Sequence, residues 1–287
     1  MEGAIITEPQ PKDEAKPARD RHPMCLIVVA YRCHPDYPLV VVANRDEFYR
    51  RPTAAAAFWA DHPELLAGRD LEQGGTWLGV TRSGRFAAVT NVRNGRVPPV
   101  TARSRGHLPV EFLTSTRSAA EHAEQLEPQL QHYGSCNLLT FDGSNLNCLS
   151  NRSPSQLNLP PGIYGLSNAA LNTPWPKTQR TMDTVQERVS RAQDTATPLV
   201  AAELLALLAD PQIAADAQLP DTGVNLEWER RLSACFIRSP DYGTRATSVV
   251  LIQRSGEVEF VERSFDQRDG PIGEVQERFH AAASLAL

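Results

Sequence analysis

The chain has 287 residues, 41% hydrophobic and 22% charged, with a formal net charge of −5. Such a composition can bury a sizeable core in one large domain or two, and its mildly acidic balance excludes a protein that coats nucleic acid or an anionic membrane by global charge. No apolar run reaches bilayer-spanning length, and cysteines at 25, 33, 136, 148 and 235, without Cys-x-x-Cys spacing, suggest neither a disulfide framework nor a zinc site and fit a reducing compartment, with the cytoplasm as default.

Residues 1–23 carry Pro9, Pro11, Pro17 and Pro23 among mixed charges and no aromatic residue. This is the composition of a disordered extension. It has no apolar core for secretion, and its acidic residues argue against a transit peptide. Residues 24–287 read as one domain. Leu26-Ile27-Val28-Val29-Ala30-Tyr31 predicts a buried strand, Pro35 and Pro38 bound a loop, and Leu39-Val40-Val41-Val42-Ala43-Asn44 predicts a second strand. That run stops in Arg45-Asp46-Glu47, and Pro52 ends regular structure. Charges delivered to the end of a buried strand need partners, so the stretch is either a site or a self-satisfied Arg45–Asp46 pair. Neighbouring strands would set Cys25 and Arg45 at adjacent strand ends.

After Pro52 the chain reads as irregular. Residues 74–81 and 85–91 then predict a strand pair turning at Ser83-Gly84, and 107–132 one or two helices. A hairpin follows over 137–142 and 146–150 across Gly143-Ser144-Asn145. Next come a glycine-interrupted strand over 162–168, helices over 177–192 and 199–209, and strands over 234–237, 248–252 and 258–263, with Tyr242-Gly243 as a turn feeding a strand. Strands, helices and strands in that order, with hairpin-length links, predict an α+β fold of antiparallel sheets packed on helices. No acidic residue falls between Glu72 and Glu111, whereas Arg82, Arg85, Arg93, Arg96, Arg103 and Arg105 do. The segment is either a solvated loop or a seat for a ligand carboxylate or phosphate.

Met24-Cys25-Leu26-Ile27, Ala43-Asn44-Arg45-Asp46-Glu47-Phe48, Gly74-Gly75-Thr76-Trp77-Leu78-Gly79, Tyr164-Gly165-Leu166-Ser167-Asn168 with Thr173-Pro174-Trp175, and Tyr242-Gly243-Thr244-Arg245 together resemble the NRDE family. The resemblance runs from Met24 to near the C-terminus. It implies a fold similar to the N-terminal nucleophile hydrolases, a four-layer αββα sandwich of two antiparallel sheets, and a remoter likeness to acylases that use an N-terminal cysteine. It also brings Golgi organisation, protein secretion, haem trafficking and lipid metabolism as family themes. Peripheral Golgi or mitochondrial association rests on it alone.

The chemistry that follows is acyl transfer. If processing leaves Cys25 at the N-terminus, its α-amine, which ordinarily titrates near ~7.7–8.0, can act as base to its own thiol. A thiol of pKa about 8.5 needs nearby positive charge to ionise at neutral pH; Arg45 supplies it, and Asp46 holds the ammonium. Asn91 and Asn168, at strand ends, are candidate donors to the developing oxyanion, or they satisfy loop backbone. By resemblance Arg245 is a second arginine beside the nucleophile, or else a structural partner of Asp46 or Glu47. Cys25 itself is otherwise a small buried hydrophobe. Because adjacent strand residues face opposite ways, Arg45 and Asp46 serve one site only if the strand ends before them. The alternative function is carriage of an anionic apolar ligand such as haem or acyl-CoA, with Arg93, Arg103 and Arg105 as ligand-binding residues, or action through protein contacts. His34, His62 and His107 lack metal-ligand spacing; no metal and no cofactor is assigned.

Overall fold

The computed structural model describes residues 24–95 and 103–282. The stretch 1–23, expected to be disordered, and Arg96 of the arginine-rich segment lie outside the described residues.

Among the described residues twelve strands form two antiparallel sheets of six. The first has the order β12-β11-β10-β2-β1-β9, from β1 (Met24–His34), β2 (Tyr37–Phe48), β9 (Gly162–Leu166), β10 (Tyr242–Ile252), β11 (Glu257–Ser264) and β12 (Gly273–His280). The second runs β3 (Thr53–Phe58), β4 (Leu65–Asp70), β5 (Leu78–Thr81), β6 (Phe86–Asn91), β7 (Cys136–Phe141) and β8 (Leu146–Ser150) in simple succession. The helices are α1 (His107–Leu113), α2 (Ala119–Leu126), α3 (Pro176–Thr195), α4 (Ala201–Leu207) and α5 (Leu226–Leu232).

Alternation along the strands stacks these elements in layers. Ile27, Val29, Val41, Val250 and Phe260 point into a core shared with Leu66, Val80, Phe86 and Leu139 of the second sheet. Their neighbours Leu26, Val28, Val40 and Val42 pack outward on Val185 and Val189 of α3 and Leu204 and Leu205 of α4. The second sheet's outer face is covered by α1 and α2, through Phe112 against Leu65 and Ala87 and through Leu126 and Ala123 against Val89 and Leu138. The order is therefore helix, sheet, sheet, helix, the αββα sandwich expected. Both faces of β1 and β2 are buried, which is why their sequences run apolar without alternation. Each such side chain contributes about 1.5–3 kcal/mol on burial.

Several elements differ from the sequence reading. Residues 53–70 are not irregular but form β3 and β4. The run Thr53–Phe58 is rich in alanine, a poor strand former, and tertiary contacts hold it, including Ala56 N–H donating to the buried Glu262 carboxylate at 3.0 Å. The stretch 234–237, expected as a strand, is a bend that meets β10 only at its end: Phe236 N donates to Asp210 O in the loop after α4, while Ile237 N donates to Thr244 Oγ1 and Ile237 O accepts from Thr244 N, too short a contact to form a ladder. Tyr242-Gly243 is not a turn. It opens β10, pairing with Phe48 and Glu47 of β2. Gly243 leaves room for Tyr49, whose Oη lies 2.1 Å from where a Cβ would stand. The same pairing carries β2 four residues past Asn44, to Phe48.

Candidate functional site

The site lies where β1, β2, β9 and β10 end together. Cys25 is register partner to Arg45 across β1 and β2, the adjacency the sequence suggests. Ile27 and Ala43 face the inter-sheet core, so Cys25 and Arg45, two residues along, share that face. The β1–β9 ladder ends at Ile27 and Leu166. Beyond it, side chains take over the strand's hydrogen bonds. Cys25 N donates to Asn168 Oδ1 at 3.3 Å, and Ser167 Oγ donates to Cys25 O at 2.9 Å. Asn168 Nδ2 in turn donates to Asn91 O at 2.9 Å, tying the end of β6 to the same point. Cys25, Arg45, Asn91 and Asn168 are thus one constellation.

Asp46 is placed otherwise. Since β2 continues to Phe48, Asp46 faces away from Arg45, toward the helix layer, as do Val40 and Val42. The expectation that Arg45 and Asp46 share one face required the strand to end at Asn44, and the β10 pairing prevents it. Asp46 Oδ1 accepts from Thr244 Oγ1 at 2.6 Å. Beside it Asn44 donates to the carbonyls of Leu208 and Cys235. Arg45 meets Glu47 at 3.7 Å, and its buried Nη1 has no hydrogen-bond partner.

Arg245, half-buried, sits at the bulge of β10 opposite Arg45 and Asp46. Its Nη1 donates to Phe48 O, Tyr49 O and Arg51 O, and its Nε to Phe265 O. The guanidinium thus caps the turn after β2; it forms no ion pair with Asp46 or Glu47. The three arginines expected to bind a ligand each have protein partners. Arg93 is buried against Glu229 at 3.0 Å and stacks on Trp175. Arg103 is exposed, bridging to Tyr133. Arg105 donates to Ser135 O and lies within Coulombic reach of Cys25 and Glu47. A cavity of about 250 Å³ opens beside Asn168, lined by Arg93, Arg152, Trp175 and Thr222.

Burial dominates the electrostatics. The Cys25 thiol is pushed up to about 12, first by loss of water, then by the Asp46 carboxylate, with Arg45 opposing. The Asp46 carboxyl is held up at about 6, again by burial, against the pull of Lys177 and the Thr244 hydroxyl. With Met24 attached, residue 25 therefore presents an amide nitrogen and a neutral thiol.

Ser167 and Lys177 escape the sequence reading. Ser167 lies within the motif beside Asn168 but carries no charge to draw notice. Lys177 left a signal: α3 buries Lys177, Thr178, Thr181, Val185, Val189 and Ala192, a helical stripe in which a lysine is out of place. Among the described residues no group of three or more His, Cys, Asp or Glu gathers as a metal site, and no helix is long and apolar enough to cross a membrane.

A family model for transport and Golgi organisation 2 matches residues 24–267. The chain is 36% identical over 261 residues to the transport and Golgi organization protein 2 homolog of Bos taurus, covering 84% of this chain and 93% of that one. It is 35% identical over 266 residues to the Homo sapiens homolog, covering 86% and 95%, and 29% identical over 274 residues to the Drosophila melanogaster protein, covering 88% and 95%. Among solved structures, a mutant conjugated bile acid hydrolase from Clostridium perfringens matches with a TM-score of 0.41 at 9% identity, over 89% of this chain and 92% of that one.

Proposed function

This chain belongs to the transport and Golgi organisation 2 family, and from that premise and the surroundings of Cys25 we propose that it is a cysteine amidohydrolase whose nucleophile is Cys25, freed as the N-terminal residue by loss of residues 1–24. The observation that carries this reading is the hold on residue 25. Its N–H and C=O are bonded by the side chains of Asn168 and Ser167 rather than by a neighbouring strand. A strand end anchored in this way keeps its place when the peptide bond before it is opened, and the new amine stays against the Asn168 carbonyl oxygen.

In the reaction, the α-amine takes the thiol proton and the thiolate attacks the amide carbonyl, forming a C–S bond. The C–N bond then breaks, the α-ammonium returns its proton to the departing amine, and water hydrolyses the thioester to acid and free thiol. Arg45, on the same face with an unpartnered Nη1, supplies positive charge to the thiolate. Asn168 and Asn91, tied to this strand end by the Asn168 Nδ2–Asn91 O bond, take the part of oxyanion donors in this reading, typically worth a few kcal/mol each. Carriage of haem or acyl-CoA by the arginine segment draws less support, since Arg93 is already balanced by Glu229. The family's name associates it with Golgi organisation; action through protein contacts is the reading left if the chemistry fails.

Intact mass and N-terminal sequencing of the protein isolated from its own cells test the proposal. The expected result is a chain beginning at Cys25 with a free amine, able to cleave amides in a panel and silenced by Cys25→Ala. A chain that retains Met24 refutes the mechanism.

A further inference from the structure

Lys177, in the first turn of α3, is 1% exposed, and its Nζ has no hydrogen-bond partner. An ammonium that loses water without gaining a partner is destabilised by several kcal/mol. The helix does not compensate, because the positive end of its dipole lies at the N-terminus. Neither packing nor helix formation accounts for a lysine there.

Four groups act on Lys177 through space from the elements around it: Asp46 on β2, Arg93 after β6, Cys235 before β10 and, from the other face of the sheet, Cys25 on β1. Asp46 is the complement. Its Oδ1 accepts from Thr244, while its buried Oδ2 has no hydrogen-bond partner. Two unsatisfied atoms of opposite charge therefore lie within Coulombic reach. The other charges nearby are committed elsewhere. Arg93 is balanced by Glu229, and Arg45 and Glu47, which also act on Asp46, pair on the opposite face of β2.

We propose that Lys177 is a positioning residue of the Cys25 site, the counter-ion that keeps Asp46 charged beneath the sheet so that Asp46 can set the protonation of residue 25. Its meaning for catalysis rests on the amidohydrolase reading; its test does not. Asp46 raises the Cys25 thiol directly and favours the charged form of any amine formed there. Burial holds the Asp46 carboxyl up at about 6 even with Lys177 opposing. Without Lys177, burial prevails and Asp46 is neutral at pH 7.

Carbon-13 NMR of the aspartate carboxyl and lysine Cε signals across pH reads both partners, with Asp46→Asn and Lys177→Arg used for assignment. The expected result is an Asp46 midpoint near 6 in the unsubstituted protein, moved up by roughly one to three units in Lys177→Met and restored in Lys177→Arg. An unmoved midpoint in folded Lys177→Met overturns the proposal. If Lys177→Met does not fold, Asp46→Asn decides: a Lys177 midpoint that falls when the carboxylate is removed supports the pairing, and an unmoved midpoint overturns it. A protein without amidase activity in which the coupled titration persists removes the hydrolase reading and leaves the pair in place.

Discussion

Cys25 and Arg45 stand opposite each other on β1 and β2 with side chains on the same inter-sheet face, and Glu47, two residues on, shares it. Arg45 lowers the thiol and Glu47 raises it. Substitutions at the two positions should therefore act with opposite sign on one thiol. Alkylation of Cys25 by iodoacetamide at pH 9, followed by peptide mass mapping, should slow about tenfold or more in Arg45→Met and quicken in Glu47→Gln, tracking the thiolate fraction. Equal rates in both variants would remove Arg45 as the activating charge.

Asn168 joins the two sheets at the site, accepting from Cys25 N on one and donating to Asn91 O on the other. In Asn168→Ala the buried Cys25 N–H loses its acceptor, at about 1–3 kcal/mol, and the half-buried Asn91 carbonyl loses the Asn168 donor. Asn168→Asp keeps the acceptor but loses the donor and sets a carboxylate against the Asn91 carbonyl. Urea denaturation at pH 7 should show both variants destabilised, and the Asp variant alone should recover in acid, where protonation restores a donor.

How far the sequence foretold this site depends on what the side chains had to reveal. Cys25 and Arg45 were legible because β1 and β2 are continuous apolar runs, buried on both faces, and pairing them as neighbours sets the residues at the edge of each run side by side. The orientation of Asp46 was not, because β2 continues through Arg45-Asp46-Glu47 on backbone pairing with β10, which side-chain polarity does not report. β3, rich in alanine, and β12, an edge strand of alternating exposure, lack the apolar pattern of a core strand. Lys177 was visible only as a polar exception on the apolar stripe of α3.

Arg245 bonds three carbonyls of the turn after β2, a fork geometry that lysine does not reproduce. Arg245→Lys should lose roughly 2 kcal/mol of stability, the scale of a charge-assisted hydrogen bond, while leaving the rate of Cys25 alkylation within about twofold once normalised to folded protein. A thiol that stops reacting in a variant of unchanged stability would instead make Arg245 a partner of the nucleophile, as the family resemblance suggests.

His122 is a titrating group far simpler than the coupled charges around Cys25. It lies buried in α2, edge-on to Phe112 at 5.1 Å, with no hydrogen-bond partner on either ring nitrogen. Burial, then Arg85 and Arg117, lower it from 6.5 to about 4. The unfolded chain therefore binds the proton more readily than the folded one. By linkage, His122 contributes a stability that rises with pH between about 4 and 6.5 and is constant above, opposite in sign to the buried Asp46 carboxyl, whose contribution falls with pH up to about 6. The full difference is on the order of 3 kcal/mol. His122→Leu, which keeps the volume and removes the proton site, should subtract that rise from the stability curve, so that the variant gains less than the unsubstituted protein as the pH goes from 4 to 6.5. Urea midpoints measured from pH 4 to pH 8 in both proteins give the comparison, and parallel curves would mean that His122 is not the residue that makes the fold sensitive to mild acid.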